Sequence, residues 1–373
     1  MKKRTLLLLG VLMTAACVLC ACGGEEEAEQ TVTVDSPEPV IQVISEESAP
    51  VVEEVQEEVV EETREGMYRS ELSNEWIDES LRDQRPIAAM VDNEKTALPH
   101  FGLTKFADVV YEITNSKLNG GVTRFMVLVK DWEAIDQLGS IRSVRPTNLQ
   151  IIPEWNAVIC HDGGPFYIDD YLARDYVENF SGTFGRVNNG KSREFTEYIL
   201  TGDLDKNFAS KGYSTTYNEY YPGPHYKFAS EDNQVDLSSD ATAINATHIQ
   251  MPYEHNKPFL DYKDGLYYYS EYGAPHVDAG NNNEQLSFKN LLLQNARYVV
   301  FDDHGYMMFH SIDYNREGYY ITNGKAIKIT WSKSEELSPT KYYDMDGNEI
   351  TLNTGRTYVA LVPDDIWSNL EIE

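Results

Sequence analysis

Arg85-Pro86-Ile87-Ala88-Ala89-Met90-Val91-Asp92-Asn93, residues 85–93, is the clearest strand signal in the chain. Five consecutive apolar residues stand between a proline and an Asp-Asn pair. A short apolar run bounded by turn residues reads as a buried strand. The neighbouring segments repeat the theme. Residues 103–107 suit one helical turn and lead into a second apolar run at 109–113. Asn119-Gly120-Gly121 marks a turn, and residues 122–129 make a third run. Residues 147–152 suit a helix. A fourth run, 157–161, ends at Asp162-Gly163-Gly164-Pro165. Pro165 fits the first position of a helix. Ile168, Leu172, Tyr176 and Phe180 then recur every four residues, as an apolar helix stripe does. Another helix is expected over 193–200. This alternation predicts an α/β or α+β domain over 66–230, with a mixed sheet and flanking helices.

Beyond about residue 231 the texture changes. Asp264-Gly265, Asn323-Gly324 and Asp346-Gly347 sit between apolar or aromatic runs, the pattern of hairpins. Residues 297–301, 326–331 and 358–362 read as strands. The segment 231–373 therefore predicts a smaller, mostly antiparallel β domain, with a core separate from that of the first.

The amino terminus speaks to location. Lys2, Lys3 and Arg4 precede an uncharged apolar run that ends at Leu19-Cys20-Ala21-Cys22. That arrangement describes a secretory signal over 1–21. The Leu-x-Ala-Cys ending resembles a bacterial lipobox, in which Cys22 becomes the lipidated first residue of the mature chain and carries palmitate-type acyl groups. An uncleaved anchor helix is the alternative, with the same topology. Residues 25–65 hold fifteen Asp or Glu and one basic residue, Arg64. Such a segment buries too little apolar surface to offset ordering entropy. Residues 22–65 read as an acidic, disordered tether, or over 51–62 as a helix that pairs with a partner. Together these features place the chain at the outer face of the cytoplasmic membrane, held there by lipid. Cytoplasmic nucleotide enzymes and transcription factors are thereby excluded.

The net charge is −30. A chain this acidic is a poor general binder of nucleic acid, and any anion it holds needs a local cluster of Arg and Lys. Of four cysteines, Cys17 and Cys20 leave with the signal and Cys22 is acylated, so Cys160 alone remains. No internal disulfide is possible, and stability must come from a core.

Several segments resemble one family in order and spacing. They are residues 85–93, Ala107-Asp108-Val109-Val110-Tyr111-Glu112, Gly121-Val122-Thr123-Arg124-Phe125, residues 139–146, His161-Asp162-Gly163-Gly164, residues 323–331, and residues 343–358. The set resembles the YerB-type lipoproteins of Gram-positive bacteria over roughly residues 83–365. The resemblance implies two domains and an envelope location, and implies no reaction. Asp162 departs from the family pattern, which tends to a small residue there, so the resemblance implies no catalytic role for it.

The residues themselves offer one constellation. Arg142 and Arg145 stand three apart beside Pro146, and Arg124 starts a neighbouring strand. Guanidinium forks suit phosphate or carboxylate, and three at one sheet edge would make an anion site. His161, Gly163 and Gly164 would join it through a helix N-terminus at Pro165. The competing arrangement pairs the arginines with the acidic candidates Asp92, Asp108 and Glu112. Asp92, Asn93 and Glu112 are also possible oxygen ligands of a hard cation. Cys160 adjoins His161 on a strand, so the two point to opposite faces and make no nucleophile pair. No P-loop, G-x-S-x-G or H-E-x-x-H occurs, and no cofactor or metal is expected. The favoured function is a non-catalytic binding or accessory protein of the envelope, whose partner is a wall polymer or a wall-synthesis protein. The alternatives are an enzyme acting on an anionic or phosphorylated envelope substrate through the Arg cluster, and a solute-binding lipoprotein.

Overall fold

The strand at the head of the sequence reading forms as expected, Ile87–Asp92 (β1). It lies in the computed structural model, which describes residues 63–373. The expected signal, Cys22 and all but the last three tether residues fall outside the described residues. Val109–Thr114 (β2), Thr123–Val129 (β3), Val158–His161 (β4) and Asn179–Ser181 (β5) complete the first half's share of a central sheet. The second half adds Ile244–Asn245 (β6), Asn290–Ala296 (β7), Asp313–Thr322 (β8), Lys325–Lys333 (β9), Lys341–Tyr343 (β10) and Thr357–Pro363 (β11). These 11 strands run in the order β6-β9-β8-β7-β11-β2-β3-β1-β4-β5, with β10 beside β9. The sheet is mixed. β7–β11, β11–β2, β1–β4 and β4–β5 are parallel pairs, whereas β2–β3 and β3–β1 are antiparallel.

β1, β2 and β3 are buried along their whole lengths, because layers cover both sheet faces. On one face Ala89, Phe125 and Val127 join Leu260, Tyr267 and Phe288. The latter belong to a separate antiparallel sheet of 6 strands drawn from the second half. On the other face Met90, Tyr111 and Met126 pack with Leu149 and Trp155, carried by the helix Pro146–Ile151 and the 3-10 turn Ile152–Trp155. Helices are few and short; Asp203–Lys211, with 9 residues, is the longest among the described residues.

Two expected helices do not form. After Pro165 come only Phe166–Ile168 and Asp169–Leu172, and Phe180 lies in β5. The apolar stripe serves two cores. Ile168, Leu172 and Tyr176 pack on the helical face of the sheet, and Phe180 on the opposite face. One helix stripe cannot reach both. Residues 193–200 divide into the turn Arg193–Phe195 and the strand Glu197–Leu200. Adjacent Tyr198 and Ile199 are both buried, which a strand allows by alternating its side chains.

The expectation of two separate cores also gives way. β11 lies between β7 and β2, so strands from both halves share one sheet. The described residues accordingly form a single compact unit. The cause is the run Tyr358–Val362, a fully buried central strand rather than the arm of a peripheral hairpin.

Candidate functional site: an arginine-lined cleft

β1 and β2 both end at one edge of the central sheet, and β3 starts there. Asp92, at the end of β1, is in register with Arg124 on β3. The segment 139–145 crosses the same edge. Its backbone is held by bonds from Asp92 N–H to Ser140 O, Arg142 N–H to Met90 O and Ile141 N–H to Glu197 O, of 3.0, 2.8 and 2.8 Å. It begins at Gly139, whose φ of +143° disfavours any side chain. A Cβ there would sit 3.0 Å from the Ile141 nitrogen and 3.1 Å from the Tyr198 ring. This crossing brings Arg142 and Arg145 beside Arg124. The three line one cleft of about 360 Å³. It opens beyond the carboxyl ends of β1 and β2, the usual ligand position in open sheets.

The three guanidiniums differ in their partners. Arg142 is paired with acids: its Nε lies 2.6 Å from Asp92 Oδ2, and its Nη2 lies 3.0 Å from Glu194 Oε2. Arg124 and Arg145 have no carboxylate within ion-pair distance among the described residues. Arg124 donates to Ser143 O at 2.7 Å and Arg145 to Val144 O at 3.0 Å. The Nε of each is buried without a partner. Arg145 also stacks 4.3 Å over the Tyr306 ring. Both residues are more than nine-tenths buried, at 6 % and 8 % exposure. Burial, followed by the charge of Arg145, pushes the Arg124 pKa down, although a guanidinium stays protonated at neutral pH. The result is a local excess of desolvated positive charge facing an open cleft. Glu94 shares the lining, but its carboxylate already accepts from Thr96 N–H at 2.7 Å.

The other sequence candidates lie elsewhere. His161 is buried, with Nδ1 against Gly163 O at 2.7 Å and Nε2 against Asn179 Oδ1 at 3.2 Å. Burial pulls its pKa down. His161, Gly163 and Gly164 do not line the cleft; Gly163 and Asp162 hold its arginine segment from behind, through Val144 N–H to Gly163 O and Asp162 N–H to Arg142 O. The helices after Pro165 span 3 and 4 residues and supply no N-terminal anion site. Cys160 is buried, and burial drives its thiol pKa up.

Of the acidic candidates, only Asp92 meets an arginine of the cluster. Asp108 accepts from Lys130 N–H at 2.7 Å. Glu112 is fully buried and saturated by neutral donors. Tyr358 OH lies at 2.6 Å, Thr123 Oγ1 at 2.7 Å, Asn256 Nδ2 at 2.8 Å, Tyr269 OH at 3.0 Å and Asn93 Nδ2 at 3.4 Å. A carboxylate so occupied, with Asn93 turned toward it as a donor, forms no cation cage with Asp92. Sequence reasoning missed Tyr306, His304, Ser116 and Phe195, which share the lining with Asn115, Leu118 and Val122. Tyr306 and His304 come from a hairpin about 180 residues beyond Arg124. Asp303-His304-Gly305 marks a turn in the sequence, but nothing in it points toward the arginines.

This chain belongs to the DUF3048 family. Residues 72–214 match the model described as "Protein of unknown function (DUF3048) N-terminal domain", and residues 249–359 match its C-terminal domain. Among curated proteins it is similar to "Putative lipoprotein YerB" of Bacillus subtilis (strain 168). The two are 23 % identical over 313 residues, which is 79 % of this chain and 86 % of that protein. Among solved structures it is similar to the crystal structure of YerB protein from Bacillus subtilis. The TM-score is 0.69 at 18 % identity, covering 82 % of this chain and 99 % of that one. The likeness establishes the common fold.

Proposed function

We propose that this chain is an exported lipoprotein held at the outer face of the membrane through Cys22. Its body is a non-catalytic binding or accessory module that takes an anionic group of a wall polymer or an envelope partner into the arginine cleft. The first part is supported by the leader ending at Cys22 and by the lipoprotein name of the Bacillus relative. The second is carried by one observation: Arg124 and Arg145 are buried, lack carboxylate partners and line an open cleft. A salt-bridge network would leave no such surplus. Charge-assisted contacts of this kind contribute about 1.5–3 kcal/mol each, so removing two weakens binding on the order of 10²–10⁴-fold.

The test uses the full chain and its Arg124→Gln, Arg145→Gln variant, with sn-glycerol 3-phosphate as probe. Native protein should bind the probe and gain thermal stability from it. The variant should melt close to the native temperature and show no gain. A variant that melts far lower, while native protein ignores the probe, would make the cluster structural. His304 lines the same cleft and gives the enzyme reading its one support. Turnover of p-nitrophenyl phosphate that vanishes in His304→Ala would favour it.

A further inference from the structure

Nine large apolar side chains stand exposed among the described residues, and five of them gather on two loops and a hairpin around the arginine cleft. Phe166 is 86 % exposed, Val300 52 %, Leu118 51 %, Phe301 43 % and Val299 40 %. Exposed apolar groups scattered singly need no explanation, but a contiguous set marks an interaction surface. Contacts tie Phe166 and Phe301 to the turn that borders the cleft. Phe166 meets the Tyr167 ring edge-on at 5.3 Å, and Tyr167 lies 4.3 Å from Phe301. The Tyr167 hydroxyl donates to Asp302 at 3.1 Å. The other Asp302 oxygen holds the N–H groups of His304 and Tyr306 at 3.0 and 3.2 Å. Tyr306 is the ring beneath Arg145. On the far side Leu118 lines the cleft itself and packs on Gly305, where any Cβ would come within 2.6 Å of it. One turn thus sets Tyr306 beneath Arg145 on its cleft side and joins the apolar rim at Phe301 and Leu118.

We infer that the ligand is an anionic amphiphile, a phosphate-headed lipid whose headgroup enters the cleft and whose chain lies along the Leu118, Phe301 and Phe166 rim. The inference rests on the anion-binding reading above and adds the apolar half of the ligand. Charge supports a small head rather than a broad surface. A chain of net charge −30 is repelled by an anionic sheet of lipid, so attraction has to be confined to buried guanidiniums. A cleft of about 360 Å³ accepts a headgroup and not an acyl chain as well, and the rim supplies the surface that the chain needs.

The experiment is calorimetric titration of the full chain with three water-soluble probes below their micelle concentrations. They are dihexanoyl phosphatidic acid, sn-glycerol 3-phosphate and dihexanoyl phosphatidylcholine. Burial of part of two short chains predicts that the phosphatidic acid binds at least about tenfold tighter than glycerol phosphate. Phe166→Ser, Phe301→Ser should erase that advantage and leave glycerol phosphate binding unchanged. Equal affinity for the two phosphates overturns the inference and leaves the cleft as a site for a plain anion. Binding of neither by folded protein removes the cleft reading itself. Equal binding of the phosphatidylcholine would make the rim a mere apolar adhesive, and it too overturns the inference. So does self-association in sedimentation that the serine variant abolishes, because the rim then joins copies of the chain.

Discussion

Lys333→Met tests whether the two halves of this chain stand or fall together. Lys333 comes from the second half and Glu154 from the first. Their side chains are both fully buried, with Nζ 2.8 Å from Glu154 Oε2. Lys333 also donates to Glu336 O at 3.0 Å and Ser338 O at 2.5 Å. Methionine keeps the chain length and removes the charge, leaving Glu154 buried without its cation. Breaking a buried pair by removing one partner costs about 3–5 kcal/mol. Glu154 keeps the Thr340 N–H and hydroxyl at 2.8 Å and the Tyr111 hydroxyl at 3.3 Å, so the loss should be about 3 kcal/mol. Urea unfolding is the assay. A single transition should move to lower urea with its slope unchanged, because one shared sheet unfolds as a unit. The pH dependence supplies a second readout. Burial acts to raise the Glu154 pKa, but Lys333 and the hydrogen bonds outweigh it and hold the group below its ordinary 4.5. In native protein that pairing stabilises above pH 4.5 and fades as pH falls through the lower folded value. In the variant the lone carboxyl is pushed up, so its penalty is present at neutral pH and disappears on acidification. The stability gap should therefore narrow from pH 7 toward pH 4. Two separate transitions, only one of them shifted, would refute the shared core; a gap independent of pH would refute the electrostatic account.

Three further outcomes follow from other sites. Burial pushes the Asp108 carboxyl up to about 7, against the opposing Lys130 N–H; its stabilisation is full below its ordinary 3.8 and lost as pH rises through 7. Asp108→Asn should therefore flatten the fall in melting temperature between pH 4 and pH 8, and an unchanged slope would remove Asp108 as its source. Gly139→Ala should cost about 1–3 kcal/mol and weaken glycerol phosphate binding as well, since residues 139–145 carry two of the arginines; thermal melts and titration at one temperature report both. Cys22→Ala should release the protein from the membrane fraction and abolish uptake of labelled palmitate, whereas a membrane-bound variant of a chain that takes up no label would remove the lipid anchor.

The buried strands were legible because each is a short apolar run between turn residues. β1, β2, β3 and β4 fall where those runs lie. The arginine cluster was legible as three guanidinium-bearing residues near strand ends. What the sequence hid was pairing at long range. Tyr358–Val362 carries no mark that it inserts beside Val109–Thr114, because parallel partners share only burial. The 165–180 stripe misled for a related reason. Apolar spacing reports that residues are buried and not which core receives them, and Ile168 and Phe180 enter different ones. Glu112 looked like a partner for arginine, yet its donors are two tyrosines, a threonine and two asparagines from distant segments. Asp92 alone among the acidic candidates took the expected role.

The place of Thr357–Pro363 has a consequence for timing. It follows every other strand of the central sheet along the chain, yet it sits between β7 and β2. A chain that emerges in order from a ribosome, or threads through a narrow pore, delivers this strand after all its neighbours. Until then β2 and β7 each show an apolar strand with an open edge, the kind of surface that recruits other chains. Closing so long a loop is also slow. The hazardous interval of this protein's life is the one before its final strand docks, and a folding helper would find its client there.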